Sequence, residues 1–238
     1  MITPQIADMA YFNPVNFTQL ATWAWGFIHK VTQGPGFADP KWAARSASAR
    51  QAGLLVAGYD FSTADDPIKN ADDFLKRANL QPEDGAVLDF EDNTRSNMSG
   101  DQAYAWMDHI AQKRGTAPII YGGNHISDYP SGTRHPRIDP QDKKWIDAAK
   151  IWPLWRCRYL SGRQFNTNAD LFKAIGPIPP WTKCAMIQYA ADGAGPLPHT
   201  EPGVENNADL SAFLGTRDQL ALLFAGKPGW DQAPTATS

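Results

Sequence analysis

The feature that most constrains the fold is a series of eight short apolar runs, rich in branched and aromatic residues, along the chain. Each run has the length of a single buried strand, too short for a membrane helix. The runs cover residues 5–10, 27–33, 54–61, 85–91, 118–123, 151–159, 184–190 and 208–213. This pattern predicts eight β-strands.

Segments with helical spacing separate the early runs. The clearest apolar stripe consists of Ala103, Trp106, Met107 and Ile110. Ser99 and Gln102 have the spacing of a capping box, and Gly115 stands where a helix end needs a positive φ. Strands that alternate with helices through about residue 123 predict a parallel sheet covered by helices. Eight strands in one domain favour closure into a barrel, and an open doubly wound sheet is the alternative.

The second half of the chain is less regular. Residues 124–140 are rich in Gly, Pro, Ser and Asp, one helix is predicted over 141–150, and 162–180 has weak periodicity. Long loops are therefore expected to replace several covering helices. Residues 226–238 have no periodicity and many small or proline residues, which predicts a flexible C-terminal tail after a single domain over 1–225.

Composition narrows the classes of partner. The net charge of −3 over 238 residues provides no basic face for a nucleic acid. No apolar run approaches the roughly 18 to 20 residues of a membrane helix, and no signal peptide is visible at the amino terminus. Cys157 and Cys184 have neither zinc-site nor disulfide spacing, so two buried thiols, no metal and no cofactor are expected. A monomer is the default.

The most informative segment for chemistry is the run at 85–91. Asp89 and Glu91 stand at alternate positions at its C-terminal end, so they share one face of the strand. The carboxyl ends of barrel strands hold the active site in this class of fold, and the pair is predicted to project into the barrel mouth. A solvated strand end is the alternative, but unpaired carboxylates normally avoid a barrel interior because their desolvation is costly.

Two further acids lie at strand ends. Asp8 is near the end of the first run and Asp209 is near the start of the eighth. The first and eighth strands are neighbours in a closed barrel, so both acids are predicted to approach Asp89 and Glu91 from the opposite wall. Mutual repulsion in such a cluster raises the pKa of at least one carboxyl, which then holds a proton near neutral pH.

Several carboxyls without a nucleophile motif or a phosphate-binding loop suit glycoside cleavage, which needs a proton donor and a stabilising negative charge. The 9 Trp and 7 Tyr residues would supply rings that stack on sugars. A magnesium or calcium site is the competing use of the acids, but no DxDxDG-type loop is present. Lys30, within the second strand, is predicted to form a salt bridge with an acid in the barrel mouth.

The order of these motifs is similar to that of a known family. The matching segments are 6–8, 27–34, 52–54, 58–61, 88–91, 187–189 and 208–211. Together they resemble glycoside hydrolase family 25, the Chalaropsis-type lysozymes, which are N-acetylmuramidases of bacteria and phages. The resemblance runs from about residue 5 to 214. It implies an irregular TIM-like (β/α) barrel in which five βα units precede three strands with few helices.

The resemblance also implies roles for individual residues. Glu91 matches the general acid, Asp89 its partner carboxylate, and Asp8 and Asp209 two further acids of the cleft. Asp60 stands where the family commonly has His, and it is a fifth acid if it points inward. The residues expected to contact saccharide are Tyr59, Tyr121, Trp155, Tyr159, Gln188 and Lys30.

The expected substrate is bacterial peptidoglycan, cut between N-acetylmuramic acid and N-acetylglucosamine. Such an enzyme acts on the wall outside the cytoplasm, after secretion or after release from a lysed host cell. Two alternatives stay open from the sequence: a barrel that binds wall glycan without cutting it, and a glycosidase that acts on chitin or another N-acetylated glycan.

Overall fold

A closed barrel of eight strands is the frame of the molecule. The computed structural model describes residues 1–94, 96–127, 137–204 and 208–232, and the barrel strands lie within these ranges. They are β1 (Ile6–Met9), β2 (Gly26–Thr32), β3 (Leu55–Phe61), β4 (Gly85–Asp89), β5 (Ile119–Gly122), β6 (Leu154–Cys157), β7 (Met186–Ala190) and β8 (Asp209–Phe213). Each predicted strand is present, with ends that differ by at most three residues.

Seven helices are found in the described part of the chain. They are α1 (Phe17–Leu20), α2 (Trp42–Gln51), α3 (Pro67–Ala78), α4 (Gly100–Arg114), α5 (Lys143–Ala148), α6 (Asn168–Ile175) and α7 (Arg217–Phe224). The capping box of Ser99 and Gln102 begins α4, and Gly115 ends it with a φ of 66°. The helix predicted over 141–150 is the shorter α5. Helix α6 falls in the stretch of weak periodicity, because Leu171 is its one buried residue and no apolar stripe is visible in the sequence.

The direction of β8 corrects the expectation of a fully parallel sheet. Strands β1 to β7 are parallel to one another, whereas β8 is antiparallel to both β7 and β1. A parallel return needs a crossover connection, usually a helix. The described residues between β7 and β8 form no helix. The irregular (β/α) barrel is confirmed, and its last strand starts at the edge where the others end.

Alternate residues of each strand face opposite sides of the barrel wall. The outward side packs against the helices in the larger apolar cluster, which contains Phe27, Val56, Leu88 and Ile120. The inward side fills the barrel with a second cluster of apolar residues. This floor includes Ile6, Ile28, Ala57, Val87, Ile119, Met186 and Phe213. The barrel is therefore a packed core, and only its upper edge is open for chemistry.

The segment from Gly226 onward contacts the barrel as far as Gln232. The Gly226 carbonyl accepts from the Ala117 N–H at 3.1 Å, and Lys183 forms an ion pair with Asp231 at 2.6 Å. Trp230 packs against the inner apolar cluster. Residues 226–232 therefore lie against the barrel, and the flexible tail stays a prediction. Residues 233–238 lie outside the described residues, and the domain boundary at 225 stays a prediction.

Two further expectations can be compared with the structure. Cys157 and Cys184 are both buried thiols that are not joined in a disulfide, as predicted. None of the helices in the described ranges has the length and apolar character required to cross a bilayer.

Candidate active site

A polar layer lies directly above the apolar floor. Each of its residues stands two positions beyond a floor residue of the same strand, so it keeps the inward direction. Its members are Asp8, Lys30, Tyr59, Asp89, Tyr121 and Gln188. Strand β8 runs in the opposite direction, so its last residue, Phe213, lies in the floor and its first, Asp209, lies at the edge. Asp209 is beside Asp8 in the strand register. The antiparallel direction of β8 is what brings Asp209 to the other acids.

Asp8 is held by a bidentate contact. Its side chain is 9% exposed, and the amide Nε2 of Gln188 donates to both carboxyl oxygens at 3.0 Å. Burial raises the pKa of Asp8 well above its usual value, with further increases from Asp209 and Glu91, against a smaller opposing effect of the Gln188 hydrogen bond. Asp8 is thus fixed in position and favours its protonated form.

Two tyrosines fix Gln188 in turn. The hydroxyls of Tyr121 and Tyr159 each donate to Gln188 Oε1 at 2.6 Å. Because that oxygen accepts two hydrogen bonds, the amide nitrogen must face Asp8. The sequence-predicted residues Gln188, Tyr121 and Tyr159 therefore form one connected network with a catalytic candidate.

Glu91 lies two residues beyond the end of β4 and is partly exposed. Burial raises its pKa to about 7, while a hydrogen bond with Cys157 and the charge of Arg156 act in the opposite direction. Sequence reasoning missed the contact with Cys157, which it treated only as a buried thiol. Strand alternation places Cys157 on the same face as Trp155 and Tyr159, but it does not identify Glu91 as the partner. A carboxyl with this pKa carries a proton in a substantial fraction of molecules at neutral pH.

Asp89 ends β4 on the same face as Glu91. Burial raises its pKa well above the usual value, and Glu91 raises it further, whereas the charge of Lys30 lowers it. Its Oδ1 atom is buried without a hydrogen-bond partner among the described residues. A buried acceptor that lacks a donor is energetically costly when the carboxyl is ionised, which agrees with the raised pKa of Asp89.

The salt bridge predicted for Lys30 is not found among the described residues. With the residues that the structure describes, the Nζ of Lys30 forms no ion pair and instead donates to Gln33 Oε1. The ammonium also lies 4.7 Å from the ring centre of Phe61 and 5.3 Å from that of Phe37. Burial lowers the pKa of Lys30, and Asp89 is the largest opposing influence. Its charge therefore acts on Asp89 without direct contact.

Asp209 completes the acid cluster. Burial raises its pKa to about 7, with Asp192 and Glu91 adding to the effect. Glu91 thus raises the pKa of all three aspartates, Asp8, Asp89 and Asp209, at the barrel edge. Such a group cannot ionise completely near neutral pH, because each new negative charge is placed beside others in a poorly solvated site.

The predicted sugar-contacting residues differ in accessibility. Tyr59 and Tyr159 are partly exposed, whereas Tyr121 is 6% and Trp155 2% exposed. The Trp155 indole donates to Ser211 Oγ at 3.0 Å, and its ring lies 4.4 Å from that of Tyr121. Trp155 therefore supports the cleft floor from below, and Tyr59 and Tyr159 offer more surface to a ligand.

Asp60 faces the covering helices and not the cleft. The strand register of β2 and β3 shifts between Lys30 and Thr32, which places Thr32 beside Asp60. Thr32 Oγ1 donates to Asp60 Oδ1 at 2.6 Å. Burial raises the pKa of Asp60 to about 7. This carboxyl belongs to the layer between barrel and helices, so it is not a fifth acid of the cleft.

The histidines and other potential metal ligands show no metal geometry in the part of the chain described. No group of three or more His, Cys, Asp or Glu side chains there is arranged to hold a metal ion. His29 is buried, with its Nδ1 at 2.7 Å from the Lys30 carbonyl and its Nε2 at 3.1 Å from Arg45. These contacts indicate a structural role for His29.

A cavity of about 230 Å³ adjoins Glu91 and is also lined by Asp92, Asn124 and His125. It extends the cleft on the side of the β4 and β5 loops. A larger cavity of about 450 Å³ lies elsewhere, near Trp152, Lys183 and Trp230, away from the acid cluster. The larger of these two cavities is therefore not the one beside the predicted catalytic residues.

Comparison with known proteins gives one family match and several similar folds. The family model described as glycosyl hydrolases family 25 matches residues 8–194. No curated protein matches the chain. Among solved structures, a bacterial lysozyme from Streptomyces coelicolor has a TM-score of 0.70 at 18% identity, covering 93% of this chain and 97% of its own.

Two further similar structures are those of a muramidase and a phage endolysin. A muramidase from Trichobolus zukalii has a TM-score of 0.67 at 21% identity, covering 94% of this chain and 100% of its own. The catalytic domain of an endolysin from bacteriophage P40 of Listeria monocytogenes has a TM-score of 0.61 at 14% identity, covering 93% and 97%. At these identities, the likeness concerns the fold.

Proposed function

Because the chain belongs to family 25 of the glycosyl hydrolases, we propose that this glycoside hydrolase degrades bacterial peptidoglycan as an N-acetylmuramidase. The proposed bond is the β-1,4 linkage between N-acetylmuramic acid and N-acetylglucosamine. Structures with the same fold are described as a lysozyme, a muramidase and an endolysin. The observation that carries the proposal is the position of Glu91, a glutamic acid with a pKa of about 7 among three aspartates at the barrel edge.

Protonated Glu91 is the proposed general acid. It gives its proton to the glycosidic oxygen as the bond to the anomeric carbon breaks, which avoids an alkoxide leaving group. Burial is the main cause of its raised pKa, so the site itself keeps the proton available. The resulting carboxylate then removes a proton from the water that completes hydrolysis.

Asp89 has two possible roles in this scheme. It attacks the anomeric carbon as a nucleophile, or it accepts a hydrogen bond from the substrate's acetamido N–H so that the acetamido oxygen attacks. The resemblance to family 25 favours the second role. Both schemes retain the anomeric configuration, and NMR of the first-formed anomer tests them, because an inverted product contradicts both.

Asp8 and Asp209 support the reaction through charge and position. Gln188 fixes Asp8, and Asp209 is its register partner across β1 and β8. Asp8 favours its protonated form and contributes through its position, whereas the negative charge of Asp209, when ionised, favours the oxocarbenium-like transition state and disfavours early ionisation of Glu91. Asn at either position is therefore expected to reduce turnover less than a change at Glu91.

The proposal also places the protein in the cell. Peptidoglycan lies outside the cytoplasm, so the enzyme meets its substrate after secretion or after lysis of a host cell. We further propose that it works as a monomer, since one chain contains all four acids.

The decisive experiment replaces Glu91 with Gln, which keeps the shape of the side chain and removes the proton donor. Release of reducing ends from purified peptidoglycan is expected to fall by about a hundredfold or more. Glu83→Gln, at an exposed position, is the matched control and should be unaffected. Mass spectrometry of the fragments identifies the bond: muramic acid at the new reducing end supports a muramidase, whereas glucosamine there contradicts it.

The same assay addresses a barrel that only binds wall glycan. Such a protein would sediment with cell walls and release no reducing ends at any pH. Normal activity of the folded Glu91→Gln variant would rule out Glu91 as the general acid while leaving the family assignment intact.

A further inference from the structure

We propose that Tyr11, Phe12 and Phe37 form a separate saccharide-binding surface, the aromatic ledge, which holds glycan units beyond the two sugars of the cleaved bond. The inference deepens the proposed function and rests on it. The ledge lies in the loops after β1 and β2, at the barrel edge that carries the acid cluster.

Exposure of these rings is the first observation. Phe12 is 70% exposed, Tyr11 is 42% exposed and Phe37 is partly exposed. Their rings touch: Tyr11 and Phe12 are 5.4 Å apart in an edge-to-face arrangement, and Tyr11 and Phe37 are 6.4 Å apart. Single exposed apolar residues are ordinary on protein surfaces, but a contiguous group of large rings indicates a binding surface.

The loop that carries two of these rings is firmly held from below. Arg45, a buried residue, donates to the carbonyls of Ala10 at 2.9 Å and Asn13 at 2.5 Å. Buried Asp39 accepts from the Tyr11 N–H at 2.8 Å. Asn13 Oδ1 also accepts from the Ala10 N–H at 2.9 Å. A rigid backbone that presents exposed rings loses little entropy when a ligand stacks on them.

The ledge is continuous with the cleft through Lys30. Its ammonium lies over the ring of Phe37 at 5.3 Å, and its charge lowers the pKa of Asp89. Phe37 in turn contacts Tyr11. A ligand that extends from Asp89 along this side therefore passes Lys30 and reaches Phe37 and Tyr11.

The chemistry of the ledge fits a sugar ring. The C–H faces of a pyranose are apolar and flat enough to stack on an aromatic ring, while its hydroxyls and acetamido groups need polar partners. Tyr11 supplies both an aromatic face and a hydroxyl, and Phe12 and Phe37 supply faces alone. A polymeric glycan continues beyond the scissile bond, so a further unit is available to occupy the surface.

The test measures how binding depends on glycan length. In a Glu91→Gln background, which prevents cutting, calorimetry compares peptide-free peptidoglycan oligosaccharides from two sugars upward, with and without Phe12→Ala. Affinity for the longer oligosaccharides should fall about tenfold on removal of the ring. Affinity for the disaccharide should not change. Phe12→Tyr should restore long-chain binding, because it restores the aromatic face.

Ile151→Ala is the matched control, since Ile151 is 64% exposed and lies just before β6, at the opposite end of the barrel. The proposal is contradicted if Phe12→Ala lowers the affinity at every chain length, or at no chain length. In the active enzyme, Phe12→Ala should raise KM for long chains and leave kcat unchanged. A wild-type enzyme that releases no reducing ends contradicts the proposed function instead, because the binding series in the inactive variant does not depend on turnover.

Discussion

At the scale of single residues, the alternation of strand side chains carries most of the information about the site. The two acids at positions 89 and 91 could be assigned to one face from the sequence, because a β-strand repeats every two residues. The side chains that contact the site residues could not be assigned in this way. Thr32 and Cys157 contact side chains of other strands, and the register between strands that brings them there is specified by no pattern within one strand.

Cys157 provides a prediction at this scale. Burial raises the pKa of its thiol to about 12, so it stays protonated and can donate to Glu91. That hydrogen bond stabilises the ionised carboxylate and lowers the pKa of Glu91. Cys157→Ala removes the donor, and the alkaline fall of kcat/KM, where the general acid loses its proton, should move to higher pH. The pH profile of kcat/KM measures this shift.

A second substitution separates tuning from packing. Cys157→Ser keeps a donor at nearly the same place, so its alkaline limb should stay close to that of the wild type. If Cys157→Ala folds normally and its limb does not move, the thiol has no influence on Glu91. A fall in kcat without a shift would point to displaced packing around Tyr121 and Tyr159.

At the scale of elements, the positions of strands are easier to predict from the sequence than the positions of helices or the directions of strands. A buried strand is recognisable from a short apolar run, whereas α6 has a single buried residue and leaves no stripe to detect. The reversal of β8 could not be predicted, since an alternating pattern is the same when read in either direction. Asp209 lies beside Asp8 as the sequence indicated, although its position depends on that reversal.

The turn that reverses the chain before β8 yields the second prediction. Gly195 has a φ of +96°, and a Cβ there would lie 1.9 Å from the Tyr189 carbonyl oxygen at the end of β7. Gly195→Ala should therefore destabilise the domain strongly and disturb the antiparallel return. Chemical denaturation and turnover should both report the change, since Asp209 follows this turn.

Gly53 is the matched control for that substitution. Its φ is +82°, and a Cβ there would meet nothing within 4 Å. Gly53→Ala introduces similar backbone strain without a clash, so it should cost about 1 kcal/mol of unfolding free energy. Equal destabilisation by the two alanines would mean that backbone conformation alone, and not the contact with Tyr189, explains the effect of Gly195→Ala.

At the scale of the whole molecule, the burial of carboxyls that favours the proposed chemistry lowers the stability of the fold at neutral pH. Burial raises the pKa of the four acids at its edge and of Asp60 behind β3. The folded protein therefore binds protons more tightly than the unfolded chain. Stability should decline as pH rises from the unfolded pKa of a carboxyl, near 4, toward the folded values.

A substitution at Asp60 tests this decline in stability without changing a residue that lines the cleft. The pKa of Asp60 is about 7 in the fold against a usual value of 3.8, so wild-type stability falls across that window and levels off above it. Asp60→Asn cannot ionise and still offers an oxygen to Thr32. Its advantage over the wild type should grow from pH 4 to 7, to at most about 4 kcal/mol, and stay constant above.

Urea unfolding of the wild type and Asp60→Asn at several pH values gives this difference directly. Asp101→Asn, at a side chain that is 86% exposed, should show no comparable pH dependence. The charge of Asp60 is the smallest of the influences that raise the pKa of Asp89, so the Asn variant should change the pH profile of turnover only slightly. A stability difference independent of pH would mean that Asp60 is already ionised throughout the window. A large shift of the turnover profile would mean that its charge acts on the cleft more strongly than its outward orientation indicates.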